Sequence, residues 1–96
     1  MVLENVALFR KNLPEQDRVK INGSITAIRY GNYDNIYIKS LKGIIKELII
    51  KRFRFIFFTD KNTIYFIGAF IKKTNKTPIG EIENAEKIYK IIIKSN

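Results

Sequence analysis

Three runs rich in β-branched and aromatic side chains succeed one another along the middle of this chain: IIKELIIK from Ile44 to Lys51, FRFIFF from Phe53 to Phe58, and TIYFIGAFI from Thr63 to Ile71. Such composition favours strands. Parallel pairing would need a crossover of a dozen or more residues between neighbours, and these connections are far shorter. The runs are therefore expected to pair antiparallel, as a meander. TDKN, Thr59 to Asn62, carries the residue types of a hairpin turn.

Helical patterns flank the strand region. VALFRKNL, Val6 to Leu13, has helical spacing but is short. Pro14 then opens a second helix, where a missing N–H costs nothing. Val19, Ile21, Ile25 and Ile28 give that helix an apolar stripe, and Gly31 ends it before the polar loop GNYDN. From Pro78 to about Lys94 the pattern is helical again. Thr77 is the expected N-cap, and Ile79, Ile82, Ala85, Tyr89, Ile92 and Ile93 form the buried stripe. Glu83 with Lys87, and Glu86 with Lys90, are spaced for surface pairs. The expected fold class is α+β: two N-terminal helices, a small twisted antiparallel sheet and a C-terminal helix, in a single domain over residues 1–96.

Composition removes several function classes. The chain has no Cys and no His, so disulfides, thiolate metal sites, a cysteine nucleophile and the usual neutral-pH proton shuttle are all out. No metal and no cofactor are expected. No apolar run approaches the about 20 residues of a membrane span, and the N-terminus lacks a signal peptide's apolar core. A cytoplasmic protein that avoids membranes is the expectation. The net charge is +9, and its placement matters more than its size. Asn35 to Thr77 holds ten basic residues against Glu47 and Asp60, a balance of +8, while the remainder carries eight against seven. Charge concentrated this way suits a polyanion.

Alternation across the strands sorts the candidates. Phe53, Phe55 and Phe57 share one face; Arg54, Ile56 and Phe58 share the other. Only one of these faces can be the main helix-packed core, so Arg54 lies on the open face near the strand's start or is paired within the fold. The third run delivers Lys72 and Lys73 at its exit, inside the stretch FIKKTNKTP, Phe70 to Pro78. Lys51, Arg52 or Arg54 could then meet Lys72, Lys73 or Lys76 across one shallow patch. The register that decides which residues meet is not readable from sequence.

FRFIFFTDKNTIYFIGAFIKKTNKTPIGEIENA resembles the C-terminal half of the RelE/HigB-like toxins of type II toxin–antitoxin systems, in particular their phage-derived Gp49-like branch. That branch shows "ELR", an aromatic followed by Arg, then "F-x-K-K-x-x-K-T-P" and "E-I-x-x-A". Here these stand as ELI (Glu47 to Ile49), FRFIFF, FIKKTNKTP and EIENA (Glu81 to Ala85); YIKSLKG (Tyr37 to Gly43) is also similar. The likeness covers roughly residues 14–94, and KKTNKTP is its specific part. It implies helices on one side of a small twisted sheet. It implies a ribosome-dependent mRNA interferase, neutralised by a small antitoxin of helix-turn-helix type in a hetero-oligomer. It also implies that Arg54 contributes to phosphate stabilisation and that Lys72 and Lys73 are the basic or proton-moving positions. The chain departs from the pattern twice. The "ELR" arginine is Ile49, leaving Lys51 or Arg52 as substitutes, and the opening MVLEN is short for the strand with which many members begin.

Metal-independent RNA cleavage uses the 2′-OH as nucleophile on the adjacent phosphate. Fixed cations stabilise the charge that develops there. Arg54 suits this role because a planar guanidinium grips two phosphate oxygens. With no His, protons must move through Lys, Glu or Tyr. Lys72 and Lys73 are the expected acid and base; Glu47 is a possible base, with a structural partnership to a basic residue of the sheet the more ordinary role for it. Lys39, Lys42, Lys46, Lys51, Arg52 and Lys76 are the expected RNA-binding residues, and Tyr33 or Tyr37 could stack on a base. Two alternatives stand beside cleavage: a toxin that inhibits another target, such as gyrase, as ParE relatives do, and a truncated remnant that binds RNA without chemistry.

Overall fold

A computed structural model describes residues 1–95. The chain runs α1 (Glu4–Lys11), α2 (Glu15–Arg29), β1 (Tyr37–Lys42), β2 (Ile45–Ile50), β3 (Phe53–Asp60), β4 (Thr63–Ile71) and α3 (Ile79–Ser95). The strands form a four-stranded antiparallel sheet in the order β1-β2-β3-β4. The meander is as expected, with one strand more than the three strongest runs give. β1 is an edge strand that turns only Ile38 and Leu41 partly inward, so its apolar alternation is weak. Its connection to β2 is the two-residue turn Gly43–Ile44, with Gly43 at φ 56°.

The β3–β4 hairpin falls on the expected TDKN stretch. Asp60 pairs with Thr63, and Lys61 and Asn62 between them both have positive φ, 49° and 67°. Positive φ at both central residues is the mirror-image turn whose twist suits a hairpin.

The helices do not share one side of the sheet. Phe53, Phe55, Phe57, Leu48, Ile50 and Phe66 pack with Val6 of α1 and Ile21, Ile25 and Ile28 of α2. Ile45, Ile56, Phe58 and Ile67 pack with Ala85 of α3, supported by Ile88, Tyr89, Ile92 and Ile93. The sheet is thus the middle of three layers, and β3 is buried on both faces. The run FRFIFF shows why: its even and odd positions are equally apolar apart from Arg54, so each face offers a core. Each fully buried large apolar side chain contributes about 1.5–3 kcal/mol. Ring contacts fix the two layers further. Phe9 meets Phe53 and Phe55 edge-on at centroid distances of 6.3 and 5.7 Å, while Phe58 stacks on Tyr65 and meets Tyr89 edge-on, each at 4.9 Å.

Two local expectations, the buried stripes and the Thr77 cap, are corrected, and the pairing of Glu86 is extended. Val19 and Ile79 are 65% and 72% exposed and lie outside their helices' buried stripes. Glu86 pairs with Lys42 of β1 at 2.8 Å, tying α3 across to the sheet. Thr77 does not cap α3, because its hydroxyl is directed elsewhere. The N-terminus forms no full strand, yet Val2 makes a parallel bridge to Phe66, with the Phe66 N–H donating to Met1 O and the Leu3 N–H to Phe66 O. Among the described residues no helix is long and apolar enough to cross a membrane.

Candidate functional site

The site assembles where the β2–β3 turn meets the exit of β4. Ile50 pairs with Phe53, so Lys51 and Arg52 form a two-residue turn, with Lys51 at φ 54°. Phe53 in turn pairs with Ile71, and beyond that pair the Lys72 N–H donates to Arg52 O at 2.8 Å. The turn and the start of the 72–77 segment are therefore held side by side by backbone alone. Next along that segment, the Thr74 hydroxyl donates to Lys76 O at 2.9 Å.

Arg54 lies one residue into β3, on the α3 face of the sheet. Its Nη1 donates to Lys51 O at 2.7 Å and to Phe53 O at 3.0 Å, and its Nε stands 3.7 Å from Glu47 Oε1. That last distance is an ion pair, longer than a hydrogen bond. The other oxygen of Glu47, Oε2, accepts the Thr77 hydroxyl at 2.7 Å. Glu47 is fully buried and Thr77 nearly so. The two carbonyls that hold Nη1 fix the orientation of the guanidinium.

Lys51, Arg52, Arg54, Lys72, Lys73, Thr74 and Asn75 line an open groove of about 480 Å³. Five of these seven are cations and none is an acid. Lys51 also reaches Asp17 of α2 at 3.0 Å, which anchors the turn to the helical layer. Arg52, Lys51 and Lys73 are exposed, while Arg54 and Lys72 are half-buried. A ligand entering here meets exposed cations at the rim and an oriented guanidinium at the floor. That arrangement suits phosphate, where Arg supplies planar geometry and Lys supplies charge.

The structure brings together five of the sequence candidates and separates the rest. Glu47 is not available to a substrate: it is 0% exposed and its carboxylate is shared between Thr77 and Arg54. Its place is that of a partner to the sheet arginine, and direct proton transfer by Glu47 is withdrawn. Lys46 pairs with Phe57, whose side chain is in the α1–α2 core, so Lys46 points to the far side of the sheet from Arg54. Lys42 is tied to Glu86 beside α3. Lys76 is exposed on the same segment but does not line the groove. Lys39 pairs with Glu47 and so shares Arg54's face, though on the outer strand. Tyr37 pairs with Ile49, and Ile49 with Arg54, which sets Tyr37, 71% exposed, in one row with Arg54. Tyr33 is 56% exposed in the loop before β1. Sequence reasoning missed Thr74 and Asn75 as lining residues and Thr77 as a partner of Glu47. The partners are 30 residues apart, and only the fold joins them.

Among the described residues no three His, Cys, Asp or Glu side chains come together in a way that could hold a metal ion. The carboxylates beside the groove are already committed, Glu47 to Arg54 and Thr77 and Asp17 to Lys51.

Comparison with known proteins fits this architecture. A chain of the RelB–RelE antitoxin–toxin complex from Methanococcus jannaschii superposes with a TM-score of 0.64 and 16% identity, over 74% of this chain and 88% of that one. The fold is therefore RelE-like. No curated protein matches the chain. The profile of the phage-derived Gp49-like proteins (DUF891) matches residues 9–90, a span that takes in α2, the whole sheet, most of α3 and every residue of the groove. On that match, the chain belongs to the phage-derived Gp49-like family (DUF891).

Proposed function

We propose that this chain is the toxin of a type II toxin–antitoxin pair and acts as a ribosome-dependent mRNA interferase. The observation that carries the reading is the acid-free groove in which Lys51, Arg52, Lys72 and Lys73 surround the oriented guanidinium of Arg54. The RelE-like fold and the family membership support a toxin role.

The chemistry follows from the side chains available. The 2′-oxygen of a ribose bonds to the adjacent phosphorus, and the bond from phosphorus to the 5′-oxygen breaks, leaving a cyclic phosphate and a free 5′-hydroxyl. Arg54 stabilises the charge on the non-bridging oxygens in the transition state. Of Lys72 and Lys73, one takes the 2′-OH proton and the other gives a proton to the departing 5′-oxygen. Lys51 and Arg52 hold neighbouring phosphates. Partners in this reading are mRNA, the ribosome and a small antitoxin of helix-turn-helix type, in a toxin–antitoxin hetero-oligomer.

The test is induced expression in bacteria with mapping of mRNA 5′ ends, comparing wild type with Arg54→Lys and with the double variant Lys72→Ala/Lys73→Ala. Arg54→Lys keeps a charge opposite Glu47 and so protects folding, while losing the planar fork. Growth arrest with new cleavages inside translated codons, absent from both variants, is the expected result. Arrest with intact mRNA removes the nuclease and turns attention to another target, gyrase first. No arrest with soluble, folded protein identifies a remnant.

A further inference from the structure

KKTNKTP delivers three lysines on an irregular segment, which by itself would leave them mobile. The segment is held at both ends. At its start, the Lys72 N–H bonds to Arg52 O at 2.8 Å. At its end, the Thr77 hydroxyl bonds to Glu47 Oε2 at 2.7 Å inside the protein. Pro78 follows, and a residue before proline is confined to extended backbone, which narrows the ways Thr77 can present its hydroxyl. Glu47 is the other half of the hold. Its Oε1 faces Arg54 Nε at 3.7 Å, so one buried carboxylate touches both the guanidinium and the lysine-bearing segment.

We infer that Thr77 is a positioning residue for the groove: through Glu47 it sets the lysine-bearing segment in register with Arg54. The inference rests on the reading of the groove as an RNA-phosphate site. Thr77 itself is buried and touches no substrate. Its effect falls on where Lys72 and Lys73 stand relative to a phosphate gripped by Arg54. A small misplacement of catalytic groups is costly in rate, whereas phosphate contacts to Arg54, Arg52 and Lys51 survive it. Loss of the hydroxyl should therefore lower kcat and spare KM.

The experiment compares wild type, Thr77→Val, Thr77→Ser and Glu47→Gln, each shown to be folded by circular dichroism at the assay temperature. Two quantities are read: cleavage kinetics on mRNA bound to ribosomes, and ¹⁵N relaxation of the backbone amides from Lys72 to Lys76. Thr77→Val is expected to lower kcat roughly 10- to 100-fold with KM nearly unchanged, and to loosen the Lys72–Lys76 amides. Thr77→Ser, which keeps the hydroxyl, is expected to restore most of both. Glu47→Gln still accepts from Thr77, so it should keep the segment ordered while weakening cleavage through Arg54. If wild type cuts and Thr77→Val cuts equally well, or its segment stays as rigid as in wild type, the positioning role is wrong and the groove reading survives. If wild type leaves ribosome-bound mRNA intact, the groove reading falls and the inference falls with it.

Discussion

Nε of Arg54 lies 3.7 Å from Oε1 of Glu47, and neither atom has a hydrogen-bond partner although both are buried. The two charges compensate each other without the geometry of a good salt bridge. Removing either alone strands the other. Breaking a buried pair this way costs about 3–5 kcal/mol. Arg54→Ala and Glu47→Ala should therefore each lower the urea midpoint strongly. Replacing both together should cost less than the two single losses combined. A double variant whose loss equals that combined effect would mean the two charges do not interact.

The groove also predicts a salt dependence that separates lysines by face. Each phosphate contact to single-stranded RNA contributes about −0.7 to the slope of log K against log salt. Lys73→Ala should make that slope shallower by about 0.7, measured by fluorescence anisotropy with a short single-stranded RNA. Lys46→Ala removes the same formal charge from the opposite face of the sheet and should leave the slope unchanged. Equal effects from the two would move the binding surface away from the groove.

Tyr37 stands in the same cross-strand row as Arg54, two strand spacings away, or about 10 Å. Ile49 lies between them, half-buried, so Tyr37 is the aromatic ring of this row. Tyr37→Ala should weaken RNA binding by about 1–3 kcal/mol, as expected of a lost base stack, and Tyr37→Phe should bind like wild type. Unchanged affinity in Tyr37→Ala would remove the row from the binding path.

Lys42 holds the carboxyl of Glu86 below its ordinary value of 4.5, chiefly by hydrogen bonding to it. A carboxyl depressed in the folded state binds protons less readily there than in the unfolded chain. Its contribution to stability is thus complete above the unfolded value and disappears as pH falls through the lower, folded one. Lys42→Ala should be less stable than wild type at pH 7 and converge with it in strong acid. Urea melts at the two pH values check the sign; a gap that widens on acidification contradicts it.

Much of the fold was legible because its strongest signals are local. Runs of aromatic and β-branched residues with short connections leave no alternative to a meander, and Thr63 to Ile71 is observed as a strand with those bounds. β1 was not legible, since an edge strand such as YIKSLK needs little apolar surface. The expectation of one main helix-packed face was wrong for β3: FRFIFF is apolar on both faces apart from Arg54, and helices cover both. The meeting of Lys51, Arg52 and Arg54 with Lys72 and Lys73 was anticipated from strand order alone, since the turn before β3 and the exit of β4 must end at the same side of the sheet. The face of Lys46 was not, because a one-residue change of register would exchange it; for Glu47 a partnership with a basic residue of the sheet was the more ordinary reading, and the fold supplies Arg54 as that residue. No local rule links Thr77 to a carboxylate thirty positions earlier.

The strip of backbone at the N-terminus that hydrogen-bonds to Phe66 has a consequence for how copies of this protein behave in a crowd. A sheet with two bare margins is a template on which further chains can add without limit. Here Met1 and Leu3 occupy ladder positions beside β4, so that margin is shielded at its midpoint. Growth is left with the β1 margin, where Lys39 places a like charge against any identical newcomer and the irregularity between Ser40 and Lys42 spoils the straight hydrogen-bonding ladder. One margin is thus covered at its midpoint and the other is charged and irregular, and both features disfavour edge-to-edge growth of a chain this rich in β-forming sequence.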